Sequence, residues 1–173
     1  MTFVKEKNLT IRGILLTHGH FDHIETVSEL MSECDSSVFL HIGDCRLLKH
    51  ANLYQNLFGG EKEIVIPNVL FVEYTDSILT IGDFNIRWIH TPGHTKGSSC
   101  FIVNNVLFTG DTLLKGKIGR TDLPGNNPDD LKKSLSIFLS LEPSFLVFPG
   151  HGASTVLKDE LYNVRAHLNE SKN

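Results

Sequence analysis

Thr17-His18-Gly19-His20-Phe21-Asp22-His23 carries three imidazoles and a carboxylate within six consecutive residues, directly behind the aliphatic run Gly13-Ile14-Leu15-Leu16. Ordinary core packing has no use for that composition. A short buried strand that runs into a polar turn and then a helix can aim all four side chains at one pocket. The stretch reads as half of a metal centre, and the other half must come from later in the chain.

Working outward, Ile24, Val27, Leu30 and Met31 recur at helical spacing and end near Cys34. Residues 37–42 form the next apolar strand, which predicts a β-α-β unit. Asp44 stands where it can cap a helix that turns Leu47, Leu48, Ala51, Tyr54, Leu57 and Phe58 inward and closes at Gly59-Gly60. Short strands are expected around 69–72 and 78–81. After the turn at Gly82-Asp83, Phe84, Ile86, Trp88 and His90 share one face of an alternating strand. Residues 99–103 and 106–109 make a hairpin across Asn104-Asn105. Residues 110–127 have no periodicity and are expected as a long functional loop.

Asn127-Pro128-Asp129-Asp130 starts a helix by cap, proline and first-turn acids, with Leu131, Leu135, Phe138 and Leu139 inward. A strand at 145–148, the loop Pro149-Gly150-His151-Gly152 and a helix marked by Leu157, Leu161, Val164 and Leu168 complete the chain. Residues 3–10, upstream of the motif, read as the tail of a helix or a loop.

The 173 residues are 40% hydrophobic and 21% charged, with mean hydropathy -0.05, which predicts one globular domain over residues 1–173. A net charge of -4 without a basic stripe argues against nucleic acid as a partner. No apolar stretch approaches the roughly 18 residues of a membrane span, so no membrane partner is expected. The opening Met1-Thr2-Phe3-Val4-Lys5-Glu6-Lys7 lacks the apolar core of a secretory signal. Cys34, Cys45 and Cys100 are scattered and odd in number, which suits free thiols in a reducing cytoplasm.

Metal-type residues recur where strands hand over to loops: His18, His20, Asp22 and His23 first, then His94, Asp111 and His151. Imidazoles and carboxylates at converging strand ends are how a layered fold builds a site. Five histidines and two aspartates suffice for two borderline ions such as Zn²⁺, with water in the open positions. His41, His50, His90 and His167 read as ordinary surface or core residues, although His90 shares the face of Trp88 and can support the site from behind.

His18-Gly19-His20-Phe21-Asp22-His23 resembles the HxHxDH signature of the metallo-β-lactamase superfamily. Thr91-Pro92-Gly93-His94-Thr95, Thr109-Gly110-Asp111-Thr112-Leu113 and Pro149-Gly150-His151-Gly152 match its remaining metal motifs in order. The resemblance implies an α/β (α+β) fold, the αββα sandwich. It is nearest to the glyoxalase II (hydroxyacylglutathione hydrolase)-like subgroup, especially short forms carrying Ile118-Gly119-Arg120-Thr121-Asp122-Leu123-Pro124. By that resemblance His18, His20 and His94 hold one metal; Asp22, His23 and His151 hold the other; Asp111 bridges them. Asp22 and Asp111 are then the catalytic carboxylates.

The implied cofactors are two divalent ions, zinc first and iron or manganese as alternatives. The implied reaction is hydrolysis of an S-acylglutathione-type thioester by a metal-bridging hydroxide. Arg120 is expected to contact the glutathione part of the substrate, against a plain salt bridge to Asp122. Lys115 and Lys117 are expected as solvated loop charges. The alternatives are a mono-iron persulfide dioxygenase-like enzyme, and a truncated metal-binding chain with little or no activity. Three departures from the family pattern bear on these expectations. The motif strand starts at Gly13, so the N-terminal sheet is expected to lack its opening strands, with a homodimer as one way to cover the gap. No C-terminal glutathione-binding helical domain is expected. Glu25-Thr26 stands where relatives often have two glycines.

Overall fold

The metal motif begins just beyond a very short strand. In this computed structural model, which describes residues 2–59, 63–123 and 125–169, a helix α1 (Thr2–Glu6) precedes strand β1 (Ile14–Leu15). Gly60 of the expected helix-closing pair and Pro124 of the loop motif lie outside the described residues. β1 is shorter than the aliphatic run 13–17, and both its residues are half-buried. Beyond it, Thr17 already serves the larger sheet, its carbonyl accepting from the Ser99 N–H at 2.8 Å.

The helix expected after His23 is two helices, α2 (Phe21–Ile24) and α3 (Val27–Glu33), broken at Glu25-Thr26. Ile24 and Val27 are buried, whereas Leu30 and Met31 are only half-buried. Strand β2 (Val38–His41) pairs parallel with β1, Ile14 opposite Val38, which completes the predicted β-α-β unit. A 3-10 turn at Ile42–Asp44 leads into α4 (Cys45–Lys49) and α5 (Ala51–Leu57), again two helices where one was expected. Leu48 and Ala51 are buried, but Leu57 is 70% and Phe58 55% exposed. Strand β3 (Leu70–Val72) pairs with β2 and ends the small sheet, ordered β1-β2-β3 and parallel throughout.

The larger sheet starts with β4 (Asp76–Ile81), β5 (Phe84–His90), β6 (Ser99–Val103) and β7 (Val106–Gly110), joined as antiparallel neighbours. Residues 110–127 are not structureless. They contain the ribbon of β8 (Leu113–Leu114) and β9 (Lys117–Ile118), turned at Lys115-Gly116 with Gly116 at φ +72°. Helix α6 (Pro128–Phe138) starts as predicted: Asn127 Oδ1 accepts from the Asp129 and Asp130 N–H groups at 3.0 and 3.2 Å. Leu139 lies past its end and is 42% exposed rather than inward. Strands β10 (Leu146–Pro149) and β11 (Thr155–Val156) complete the sheet in the order β11-β10-β7-β6-β5-β4, and α7 (Leu157–Asn169) follows.

Three apolar clusters stack these elements. Leu131, Leu135, Phe138, Leu157 and Val164 of α6 and α7 bury Ile89, Cys100, Leu107 and Val147 on one face of the large sheet. Ile86, Trp88 and Phe101 on its other face meet Leu15, Phe39 and Val72 of the small sheet. Leu16, Val38 and Leu40 pack on Ile24, Val27, Leu48 and Ala51 outside it. The order helix, sheet, sheet, helix is the αββα sandwich. Beside β1, Phe108 and Phe148 stay 39% and 45% exposed, their rings 5.8 Å apart along a shallow groove. No helix among the described residues is long and apolar enough to cross a membrane.

Candidate metal centre

Backbone period decides how the motif divides. His18 and His20 end on the same side, their ring centroids 4.7 Å apart, as the alternation of an extended stretch would place them. His20 is the N-cap residue of α2 at φ -66°, ψ 149°, so Asp22 and His23 fall in the first helical turn and point another way. The structure accordingly brings His18 and His20 to His94, and Asp22 and His23 to His151. His94 follows β5, Asp111 follows β7 and His151 follows β10.

Distances within each set are those of donors facing a common point. His94 Nε2 lies 3.1 Å from His20 Nδ1; His151 Nε2 lies 3.2 Å from His23 Nε2 and 3.1 Å from Asp22 Oδ2. Nitrogens bound tetrahedrally at 2.0–2.1 Å around one zinc would sit about 3.4 Å apart. Asp111 stands between the sets: Oδ2 is 3.6 Å from His94 Nε2 and 3.5 Å from His151 Nε2, while Oδ1 is 3.8 Å from His23 Nε2. Of the four buried side-chain polar atoms with no hydrogen-bond partner among the described residues, two, His18 Nε2 and Asp111 Oδ1, lie in this cluster. Buried polar atoms are normally satisfied, so this pair marks where cations fit.

The electrostatics agree with metal ligation. Burial first, and then its imidazole neighbours His23, His20, His94 and His151, hold the His18 pKa well below the ordinary value. Burial and His94 lower His20 to about 4, Asp22 opposing. Burial also lowers His23 against the pull of Asp22 and Asp111. Neutral imidazoles are the form that ligates.

The outer nitrogens are held as well. His94 Nδ1 lies 2.9 Å from the Arg120 carbonyl, and His18 Nδ1 lies 3.1 Å from Thr17 Oγ1, which aims each Nε2 into the site. Gly150 answers a different need: a Cβ there would collide with Asp111 Oδ1 and the His23 ring.

Asp44 corrects the sequence reading most. Its side chain makes no helix cap. Instead the carboxylate, 1% exposed, accepts from Gly19 N–H at 2.9 Å, Gly97 N–H at 2.6 Å and Thr95 Oγ1 at 2.7 Å. One buried side chain thus stitches the loop of His18 and His20 to the loop of His94. Gly43 and Gly97 permit the approach, since a Cβ on Gly97 would meet Asp44 Cγ at 2.6 Å. Burial raises the Asp44 pKa, opposed by these three hydrogen bonds. Spacing carried no sign of this role.

His20, Asp22, His94, Asp111 and His151 open onto a cleft of about 420 Å³. Phe21, Leu47, Tyr54 and Phe58 line it from one side of the chain's first half, and Leu114, Ile118 and Leu123 from the ribbon and the loop beyond. Leu47, Tyr54 and Phe58, which helical spacing turns inward, thus face the cleft. Arg120 lines the cleft too, but its guanidinium forms a bidentate pair with Asp122 at 2.6 and 2.7 Å, so the salt-bridge alternative is the contact present. His41 and His90 lie outside the donor sets and stack at 3.8 Å; His90 Nε2 is 2.8 Å from the Lys96 carbonyl, which braces the His94 loop.

Comparison with known proteins places this arrangement. The profile described as the metallo-beta-lactamase superfamily matches residues 1–151. A probable metallo-hydrolase of Bacillus subtilis, YqgX, is 38% identical over 88% of this chain and 74% of its own length. Hydroxyacylglutathione hydrolase GloC of Haemophilus influenzae is 31% identical over 91% of this chain and 76% of its own. The crystal structure of TTHA1623 in a di-iron-bound form superposes with a TM-score of 0.83 at 35% identity, covering 92% of this chain and 79% of that one.

Proposed function

This chain belongs to the metallo-beta-lactamase superfamily, and on that premise we propose that it is a thioester hydrolase working at a centre of two divalent metal ions. The observation that carries the reading is the pair of donor sets at the floor of a cleft, with Asp111 near His94 of one and near His23 and His151 of the other. His18, His20 and His94 would hold one ion, and Asp22, His23 and His151 the other, with Asp111 spanning both. Two such ions supply a positive centre that acidifies water and polarises a carbonyl.

The chain's own residues do the rest. Neutral imidazoles keep the donor nitrogens free of protons. Asp22, its carboxylate 37% exposed, offers an oxygen that can hold the proton released when water adds to a carbonyl. The apolar walls give the substrate's hydrocarbon a surface to bury against, which sets the carbonyl against the floor. Thioesters are favoured by the likeness to GloC and by the stretch 118–123. A complete second donor set speaks for two ions rather than one. The di-iron relative makes iron a candidate beside zinc and manganese.

Metal analysis of the purified protein, paired with hydrolysis of S-lactoylglutathione and acetyl thioesters, tests the reading. Two equivalents per chain with turnover are expected. Asp111→Asn should lower kcat/KM by more than about a hundredfold, beyond what losing a merely supporting residue costs. Activity that survives in Asp111→Asn would overturn the dimetal mechanism, and one iron per chain with oxygen uptake on a persulfide would replace it with an oxygenase.

A further inference from the structure

The cleft's walls say more than its floor does. Phe21 occupies the motif position between His20 and Asp22, and its ring stacks on Phe58 at 6.1 Å and 19°. Leu47, Leu114, Ile118 and Leu123 extend the apolar lining. Apart from the five metal-type residues, Tyr54, Lys117 and Arg120 are the polar side chains among the described lining residues. The charge of Arg120 is met by Asp122. Lys117 has no ion pair among the described residues.

On the thioesterase reading above, we infer that the cleft takes an apolar acyl group of several carbons, and that Lys117 receives an anionic group on the thiol half of the substrate. The volume of about 420 Å³ is at the small end for small-molecule sites, enough for a thioester and its acyl chain but not for a large thiol as well. Tyr54 offers the one hydroxyl among the described lining residues, so a 2-hydroxyacyl group that does not meet it would set its own hydroxyl among phenyl and aliphatic side chains, where an unpaired polar group is costly. An alkyl or aryl group in the same place gains with each carbon buried. The reaction balances simply: water gives its oxygen to the acyl carbon, the C–S bond breaks, and the sulfur leaves as a thiol carrying the second proton.

Metal-loaded protein assayed on acetyl-, butanoyl-, hexanoyl- and lactoyl-glutathione tests this directly. Burial of each methylene should raise kcat/KM about fourfold until the cleft is filled. Hexanoyl should exceed lactoyl, and Phe58→Ala should flatten the series. Lys117→Gln should raise KM for glutathione thioesters more than for the uncharged N-acetylcysteamine thioesters. A series that is flat or favours lactoyl overturns the acyl assignment and leaves the thioesterase reading intact. Equal effects of Lys117→Gln on both thiols overturn the anion contact. If no thioester is hydrolysed, the thioesterase reading falls, and calorimetry with hexanoate and lactate decides the pocket. Hexanoate binding at least tenfold tighter supports an apolar site, and equal binding overturns it.

Discussion

The two donor sets are built from the same residue types and are held very differently. His18 and His94 are 1% and 3% exposed, their outer nitrogens are engaged by Thr17 and Arg120, and their loops are tied through Asp44. In the other set His151 is 53% and Asp22 37% exposed. Its later loop is tethered mainly by one backbone bond, Gly150 N–H to the Gly110 carbonyl at 2.8 Å. The first set is shaped by the fold before any cation arrives. The second depends more on the cation to gather it. The first ion should therefore bind more tightly and exchange more slowly.

Asp44→Asn strikes hardest at this contrast. It keeps the volume but turns an amide towards donors that need an acceptor. Loss of charged hydrogen bonds in a buried site should destabilise the chain by about 3 kcal/mol. Cobalt titration should show the tighter affinity weakened by about 10–100-fold. If only the weaker site suffers, the first set does not owe its shape to Asp44. His151→Ala probes the other side. Bound metal should fall from two equivalents to one, with the remaining affinity kept within about threefold, because the buried set keeps its own three imidazoles and couples to the other chiefly through Asp111. A matched loss of both ions would show instead that Asp111 makes them one cooperative unit.

Acid gives the mildest test. His20 and His41 are both held at about 4 by burial, against an ordinary value of 6.5. The folded chain then binds fewer protons than the unfolded chain between those limits. The stability that these two groups contribute to the metal-free protein is therefore full above about pH 6.5 and falls as pH drops toward 4, by up to about 1.4 kcal/mol per pH unit for each. Urea melts at several pH values measure the slope. A flat profile would mean that these imidazoles are not enclosed without metal, and that the fold alone does not shape the first set around His20.

Much of this was legible in the order of residues. The seven metal-type side chains gather as the motif spacing predicted, and the Asn127 cap and the β-α-β unit form where local pattern put them. What pattern missed shares a physical cause. Asp44 bonds to Gly19 and Gly97, 25 and 53 positions away, and no local spacing records such a contact. Helical periodicity groups Tyr54 and Phe58 on one face without saying whether that face meets a core or a cleft. Pairs of two residues, such as β8 and β9, are too short for alternation to register. Arg120 was read for its charge, yet its contact with a metal-type residue is made by its carbonyl.

The set distances also bear on how the protein reaches its native state. His20 and His94 are 74 positions apart, and His23 and His151 are 128 apart. Closing loops of that length waits for the two sheets to dock, and such non-local pairing comes late. A cation that needs both ends then finds its site only on the native side of the folding barrier. Its stabilisation slows unfolding and leaves the folding rate almost untouched.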